Sequence, residues 1–576
     1  MDKPSHKAFV FGEDAFRDPD QDAPEFEQLQ GGYGDPLAGV RNLATQDSNM
    51  PADFVIDDPW ETHPNSADAE DRTSTIDRNT VLAAIGIFLL AAAPRLISLF
   101  LVSDPTNPGL GWYNDTFHHW QIGYLSGEIG FSKGFLTLWD FRGMEYFWGL
   151  LHPLLLALIF KASGSVDIVI PRLLSTFASS AAIALLFILL RRYFNLHVAL
   201  AATLLAIVNP VAIFGDSAGM QEPIGLALIF LGFVLWPRHP VWAGVLIGIA
   251  GMARAEYWVL GGGLVVASWI TRATADRKFM LTIGWAIPSF LYMRYMAAKT
   301  GNAIYPIYWN YIGSVVGEWM TDRPPTSEEV LVQWIARLVF VAALAGLLWL
   351  ARNRPRSTPF IGFGLANILL LGFMWGFSDY VIGFEPRILI GRLVILPYIY
   401  LGIFAAVLLL YVIPKRVGGK LSTSAGWIVI VIMMGALQLV WSPLLDYYTE
   451  RAELWTIEKT IAHDIAEVYE SGTIIIPDTR PGLTYALVRY EGIPAQAMQS
   501  SMYDPFAYMS DADPFENWDS NRPQIASWIK SLDIQLLVFH PHKMNYQEMV
   551  SLEPEWFSRL DPGADGKMEI YEVISQ

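Results

Sequence analysis

Residues 81–102 read VLAAIGIFLLAAAPRLISLFLV, 22 mostly apolar residues in succession. Roughly 20 such residues let an α-helix cross the hydrocarbon core of a bilayer. A helix is favoured there because it pairs every backbone N–H and C=O within itself. Working outward, further runs cover about 173–190, 196–214, 223–236, 241–253, 257–270, 279–298, 330–350, 359–377, 391–413 and 425–442, which gives eleven spans. The fold class expected is an α-helical polytopic membrane protein. The connections between runs alternate between Arg/Lys-rich and carboxylate-rich. With the amino terminus inside, cytoplasmic loops would hold Arg191 and Arg192, Arg238, Arg272, Arg277 and Lys278, Arg352, Arg354 and Arg356, then Lys415, Arg416 and Lys420, as the excess of cations in cytoplasmic loops demands.

One run resists the scheme. His152 to Phe160 is apolar but short, and counting it as a crossing would invert everything after it. It reads as a juxtamembrane or re-entrant helix, so the first external loop is long, about 103–170. Residues 1–78 are rich in Asp, Glu, Pro, Gly and Asn without a sustained period, the composition of a disordered cytoplasmic tail. The first long apolar run lies too far in, and is too long, for a cleavable signal peptide. Residues 79–444 form the membrane part. Residues 445–576 change character: an amphipathic stretch, Trp455 to Val468, precedes β-type runs at Thr473–Ile476, Gln535–Phe539 and Met568–Val573. This predicts a small extracytoplasmic α/β domain.

Composition agrees with membrane residence: 53% of residues are hydrophobic and 16% charged, with positive mean hydropathy. There is no Cys, which excludes disulfide frameworks, thiolate nucleophiles and Cys-based metal sites. The net charge of −17 is unevenly spread. Residues 1–78 carry 18 acidic and 6 basic side chains and residues 445–576 carry 22 and 9, whereas the span between carries 16 and 24. A basic membrane part suits cytoplasmic anchoring or a phosphate-bearing ligand, and acidic ends disfavour nucleic acid. Walker A, dinucleotide and nucleophile-elbow motifs are all absent from the sequence, so neither ATP drive nor serine hydrolysis is suggested.

With this topology the carboxylates gather on one face: Asp115, Glu128, Asp140 and Glu145 in the first loop, Asp216 and Glu222 in the next, then Glu256, Glu318, Asp379 and Glu385. Carboxylates beside a bilayer are costly unless they face water or a partner. The densest constellation is Trp112-Tyr113-Asn114-Asp115-Thr116-Phe117-His118-His119-Trp120. A carboxylate ringed by aromatics suits a general base that takes a proton from a hydroxyl. It equally fits an interfacial aromatic belt with Asp115 capping a helix from Thr116. His118 and His119 are adjacent, so on a helix they diverge and do not aim at one ion. In Gly215-Asp216-Ser217-Ala218-Gly219-Met220-Gln221-Glu222-Pro223, Asp216 and Glu222 could hold Mg²⁺ or Mn²⁺, or Glu222 could cap a helix opened by Pro223. Arg172, Arg254, Arg294, Lys299, Arg387 and Arg392 lie at outer span ends, where few cations are expected. An Arg fork suits phosphate, and ion pairs such as Arg254 with Glu256 or Arg387 with Glu385 are the plainer reading. In the outer domain, 503–506 and 511–519 mix carboxylates with aromatics but break the calcium-loop pattern, which favours a packing loop.

These residues together resemble the GT-C superfamily of polytopic glycosyltransferases, in the branch of protein O-mannosyltransferases and lipid A aminoarabinose transferases. The likeness covers about 80–442. It rests on Asp115 after the first span, His152-Pro153-Leu154, and Pro171-Arg172-Leu173-Leu174-Ser175 opening a span that ends in Arg191-Arg192-Tyr193-Phe194. Asp216 with Glu222-Pro223, Gly301-Asn302-Ala303-Ile304-Tyr305-Pro306 and Arg392 before Leu393 to Pro397 complete it. Where many relatives carry Asp-Glu in the first loop, this chain has Asp115-Thr116. The resemblance implies a multi-pass cell-membrane enzyme with a cytoplasmic amino terminus. It implies inverting transfer of a sugar from a polyprenyl-phosphate-linked donor to an unspecified acceptor hydroxyl on the extracytoplasmic face. Asp115 is then the base, Arg387, Arg392 and His152 neutralise the departing lipid phosphate, Arg172 and Arg254 are further substrate-binding candidates, and Asp216, with Glu222, supports the acceptor side or a divalent cation. The rival is a transporter or flippase of a lipid-linked saccharide, which would want related halves and polar residues at mid-membrane depth. A membrane scaffold is a third reading. Charges clustered at outer span ends count against both.

Overall fold

The computed structural model describes residues 76–102, 113–133, 136–138, 144–270, 275–311, 327–353, 358–377, 395–417, 420–477, 480–500, 506, 515–540, 544–560 and 568–574. The apolar runs are helical. α1 (Arg78–Ile97) continues as a π-turn to Val102, and α2 (Tyr113–Glu128) and α3 (Leu151–Ser163) come next. Then come α4 (Val169–Tyr193), α5 (Leu196–Ile207), α6 (Pro210–Asp216), α7 (Glu222–Leu235), α8 (Pro240–Ala250), α9 (Ala255–Ile270) and α10 (Ala275–Thr300). Beyond them lie α11 (Ser327–Asn353), α12 (Thr358–Phe377), α13 (Ile395–Val407), α14 (Lys420–Leu437) and α15 (Trp441–Val468). Among the described residues three helices are long and apolar enough to cross a bilayer, 78–102, 169–193 and 395–417, or four if a bent pair counts as one. The run from His152 is a 13-residue helix, α3, closed by Gly164 at φ +65°, the left-handed cap that glycine adopts without strain.

The bent pair is α5 and α6, which turn by 65° where the sequence suggests one straight run over 196–214. The cause is local. Pro210 disfavours the helical region for Asn209, and Asn209 then caps the new helix, its Oδ1 accepting from the Val211 N–H at 3.0 Å. This bend fixes where Asp216, the last residue of α6, comes to lie.

α1 packs on α4, α4 on α7 and α5, α7 on α8, and α8 on α10. One large core of buried aliphatic and aromatic side chains runs through them, from Ala84 through Phe187 and Phe230 to Tyr400. The α8–α10 pair is seated on glycines: a Cβ on Gly284 would run into the Val241 carbonyl, and one on Gly244 into the Leu281 carbonyl. Small residues let helix backbones approach this closely in lipid.

The carboxyl-terminal residues form a five-stranded sheet in the order β2-β1-β3-β5-β4. In chain order its elements are β1 (Thr473–Ile476), α16 (Pro481–Arg489), β2 (Met498–Ser500), α17 (Trp518–Ser531), β3 (Ile534–Phe539), α18 (Met544–Leu552), β4 (Phe557–Leu560) and β5 (Glu569–Val573). β1 is parallel to β2 and β3, while β5 is antiparallel to β3 and β4. β1 and β3 carry the buried apolar runs Ile474 to Ile476 and Leu536 to Phe539, as strands covered on both faces should. The sequence foresees β1, β3 and β5; β2 and β4 are short edge strands. α15 runs through residues 444 and 445, where the sequence placed the junction between parts.

Candidate functional site

Three helices from distant parts of the chain meet at Asp216. Arg95, from α1, is fully buried. Its Nε donates to Ser179 Oγ of α4 at 2.7 Å and to Asp216 Oδ2 at 2.9 Å, while its Nη2 donates to the same oxygen at 2.7 Å. Ser179 Oγ donates to Asp216 Oδ2 at 2.6 Å. The carboxylate is thus a partner for a guanidinium within the fold, the arrangement that makes an ion pair tolerable away from water.

The turn after Asp216 is gripped from two sides. Arg172 of α4, 1% exposed, donates from Nε to the Ser217 carbonyl at 2.9 Å. Ser175, one turn on, donates to the Met220 carbonyl. Thr116 of α2 donates from Oγ1 to the Ala218 carbonyl at 2.7 Å. Gly219 has φ +90°, and a Cβ there would sit 3.1 Å from Thr116 Cγ2 and 3.4 Å from Arg172 Cγ, so this position takes glycine for both conformation and space. Asp115 precedes Thr116 in the first turn of α2, where the positive end of the helix favours a carboxylate. The helix begins at Tyr113 rather than at Thr116, so Asp115 lies within its first turn rather than capping it. Asp115, Arg172 and Asp216, three of the residues the sequence singles out, therefore belong to one neighbourhood.

Glu222 and Arg254 form a second, linked group. Arg254 lays its Nε and Nη2 on the two oxygens of Glu256 at 2.8 and 2.5 Å, and its Nη1 on Glu222 Oε1 at 2.5 Å. Tyr257 Oη donates to the Glu222 carbonyl at 3.0 Å. The plainer expectation for Arg254, a pair with Glu256, is what the fold contains, extended by Glu222. Arg95 takes one oxygen of Asp216 and Arg254 one oxygen of Glu222. Among the described residues no group of three His, Asp or Glu side chains is arranged to hold a metal.

His152, on α3, is fully buried and both of its ring nitrogens lack a hydrogen-bond partner. Burial pushes its pKa down to about 3. Burial thus favours the neutral form of the ring. It stands edge-on to His119, centroids 4.9 Å apart, and His119 and His118 both lie against Trp148 at 5.0 and 5.4 Å. Arg387 and Arg392 lie outside the described residues, as do Asp140, Glu318, Asp379 and Glu385.

α2 is also held by the carboxyl-terminal residues. Phe117 stacks on Trp455 of α15 at 5.1 Å and meets Tyr485 of α16 at 5.4 Å, and Trp120 sits edge-on to Tyr485 at 4.8 Å. Gln121 Nε2 donates to Thr484 Oγ1 at 3.0 Å, and the Ile168 N–H donates to Tyr485 Oη at 3.2 Å. Behind this contact Glu458 of α15 is fully buried. Burial raises its pKa to about 8 against the attraction of Arg480. The Arg480 Nη1 is 4.0 Å away, beyond hydrogen-bond reach, so loss of hydration outweighs this ion pair.

Sequence reasoning passed over Arg95 and Ser179. The available signal was an arginine inside an apolar run, which is costly there without a partner.

No family model matches the chain and no curated protein does. Among solved structures it is similar to ArnT from Cupriavidus metallidurans bound to undecaprenyl phosphate, at 14% identity and a TM-score of 0.47, covering 85% of this chain and 98% of that one. It is similar to the Archaeoglobus fulgidus oligosaccharyltransferase in the apo form at 11% identity and 0.44, covering 83% and 73%. It is similar to arabinofuranosyltransferase AftD from Mycobacteria at 16% identity and 0.46, covering 88% and 40%.

Proposed function

We propose that this chain is a polytopic membrane glycosyltransferase of the GT-C type, with eleven spans, a cytoplasmic amino terminus and its carboxyl-terminal α/β part outside. It moves a sugar from a polyprenyl-phosphate donor to an acceptor hydroxyl with inversion. The observation that carries this reading is the seating of α2: Thr116, next to Asp115, bonds the carbonyl of Ala218, two residues from Asp216 and beside Arg172. Asp115 and Arg172 are thereby held by one turn, a pairing of carboxylate and cation that a base-assisted displacement at a phosphorylated carbon needs.

In the reaction, Asp115 takes the acceptor hydroxyl proton, the acceptor oxygen bonds to the anomeric carbon, and the bond from that carbon to the phosphate oxygen breaks. The electron pair leaves on the polyprenyl phosphate. Arg387 and Arg392 stabilise that charge, a role worth more where water is excluded. Arg254 and Glu222 shape the site through their mutual pairing rather than by touching the lipid. His152, packed against His119, is the third candidate for stabilising the departing phosphate. No step is routed through a metal.

The test is transfer from a defined set of polyprenyl-phosphate sugars by purified protein in nanodiscs. Asp115→Asn abolishes turnover while donor binding stays near the wild-type value, and chelator treatment of the wild type decides whether a divalent cation takes part. Near-normal turnover by Asp115→Asn removes Asp115 from the chemistry.

A further inference from the structure

We propose that Arg95 is a positioning residue for this reaction: with Ser179 it locks Asp216, and Asp216 fixes the turn that seats the Asp115 end of α2. This rests on the reading of Asp115 as the base, and it assigns Asp216 an indirect role. Arg95 is fully buried and spends its donors inside the fold, Nε on Ser179 and Asp216, Nη2 on Asp216, and Nη1 on the Ala91 carbonyl at 3.0 Å. Asp216 Oδ2 takes three donors from two helices, α1 and α4, so the end of α6 is tied to both.

The turn beyond Asp216 presents a row of backbone acceptors to the site. The Ser217 carbonyl receives Arg172, the Ala218 carbonyl receives Thr116, and the Met220 carbonyl receives Ser175. A carbonyl keeps its direction only while the chain before it is fixed, and in this turn the fixing group upstream is the Arg95–Asp216 pair. Gly219 allows the turn to press against Thr116. Displacing the turn therefore displaces the first turn of α2 and the carboxylate of Asp115, and a misplacement near 1 Å costs about 100-fold in rate.

The experiment uses the full chain in nanodiscs with a polyprenyl-phosphate sugar. Arg95→Met and Asp216→Asn each lower kcat about 100-fold with donor KM unchanged. The double variant is no worse than either single, because the two residues act as one unit. Thr116→Val, which removes only the link between α2 and the turn, lowers kcat about tenfold, and Thr116→Ser, which keeps the hydroxyl, restores it. The proposal is overturned if Asp216→Asn loses far more than Arg95→Met or if their losses multiply, since Asp216 then touches substrate itself. Wild-type kcat in Thr116→Val overturns it as well, and that arm decides the matter if Arg95→Met does not fold. Should the wild-type protein transfer from no polyprenyl-phosphate sugar, the function reading fails, and hydrogen exchange still tests the lock. Amides of residues 114–119 then exchange about tenfold faster in Arg95→Lys and Thr116→Val while residues 224–234 are unchanged, and unchanged exchange at 114–119 overturns the lock.

Discussion

Glu458→Gln isolates the energetic consequence of burying a carboxyl in α15. Burial raises the carboxyl from its ordinary 4.5 to about 8, so between those values the folded chain holds a proton that the unfolded chain has released. The folded state binds more protons there, and stability falls as pH rises. The contribution is fully present below about pH 4.5 and is lost by about pH 8. The difference corresponds to about 5 kcal/mol if the whole gap is expressed. Glutamine keeps the volume and a polar head but has no proton to lose. The assay is hydrogen exchange of the amides at 459–466 in the intact, detergent-solubilised chain from pH 5 to 8.5, corrected for the intrinsic rate. Wild-type protection free energy should fall by a few kcal/mol across that range, whereas Glu458→Gln should stay level and exceed wild type at pH 8. Protection that rises with pH, or a wild-type slope that persists in Glu458→Gln, refutes the reasoning.

Two further substitutions probe the membrane part. Arg254→Met leaves Glu222 and Glu256 without their shared cation and should cost about 3–5 kcal/mol, read as loss of folded protein on size exclusion; removing both carboxylates together with Arg254 should recover much of it. Gly284→Ala places a methyl against the Val241 carbonyl and should destabilise by at least about 1–3 kcal/mol, whereas Gly263→Ala, where nothing lies within 4 Å, should change thermal stability little.

The helices were legible in the sequence because apolar runs of sufficient length have few other solutions, and β1, β3 and β5 because isoleucine, leucine and valine cluster between turn residues. The edge strands β2, at Met498–Ser500, and β4, at Phe557–Leu560, carry no such run. The break between α5 and α6 was written in Asn209-Pro210 but concealed by the apolar residues on both sides. At the site, residue types could be recognised and their partners could not. Asp216 is legible as a carboxylate but not as the partner of Arg95, and His152 as an imidazole but not as a buried one. Partner choice depends on which helix packs on which, and hydropathy along one helix says nothing about its neighbours.

Gln121 and Thr484, joined across the contact between α2 and α16, are 363 residues apart in the chain. During synthesis at roughly 5–20 residues per second, the second partner leaves the ribosome roughly 20 to 70 s after the first. Until then the aromatic face of α2 has no Trp455 or Tyr485 to cover it, although Thr116 already has the Ala218 carbonyl. A chain halted by a late stop codon, before α15 and α16, would insert its apolar helices and yet present an unfinished α2 to quality control. The packing of α2 is therefore completed only when Thr484 and Tyr485 have been made.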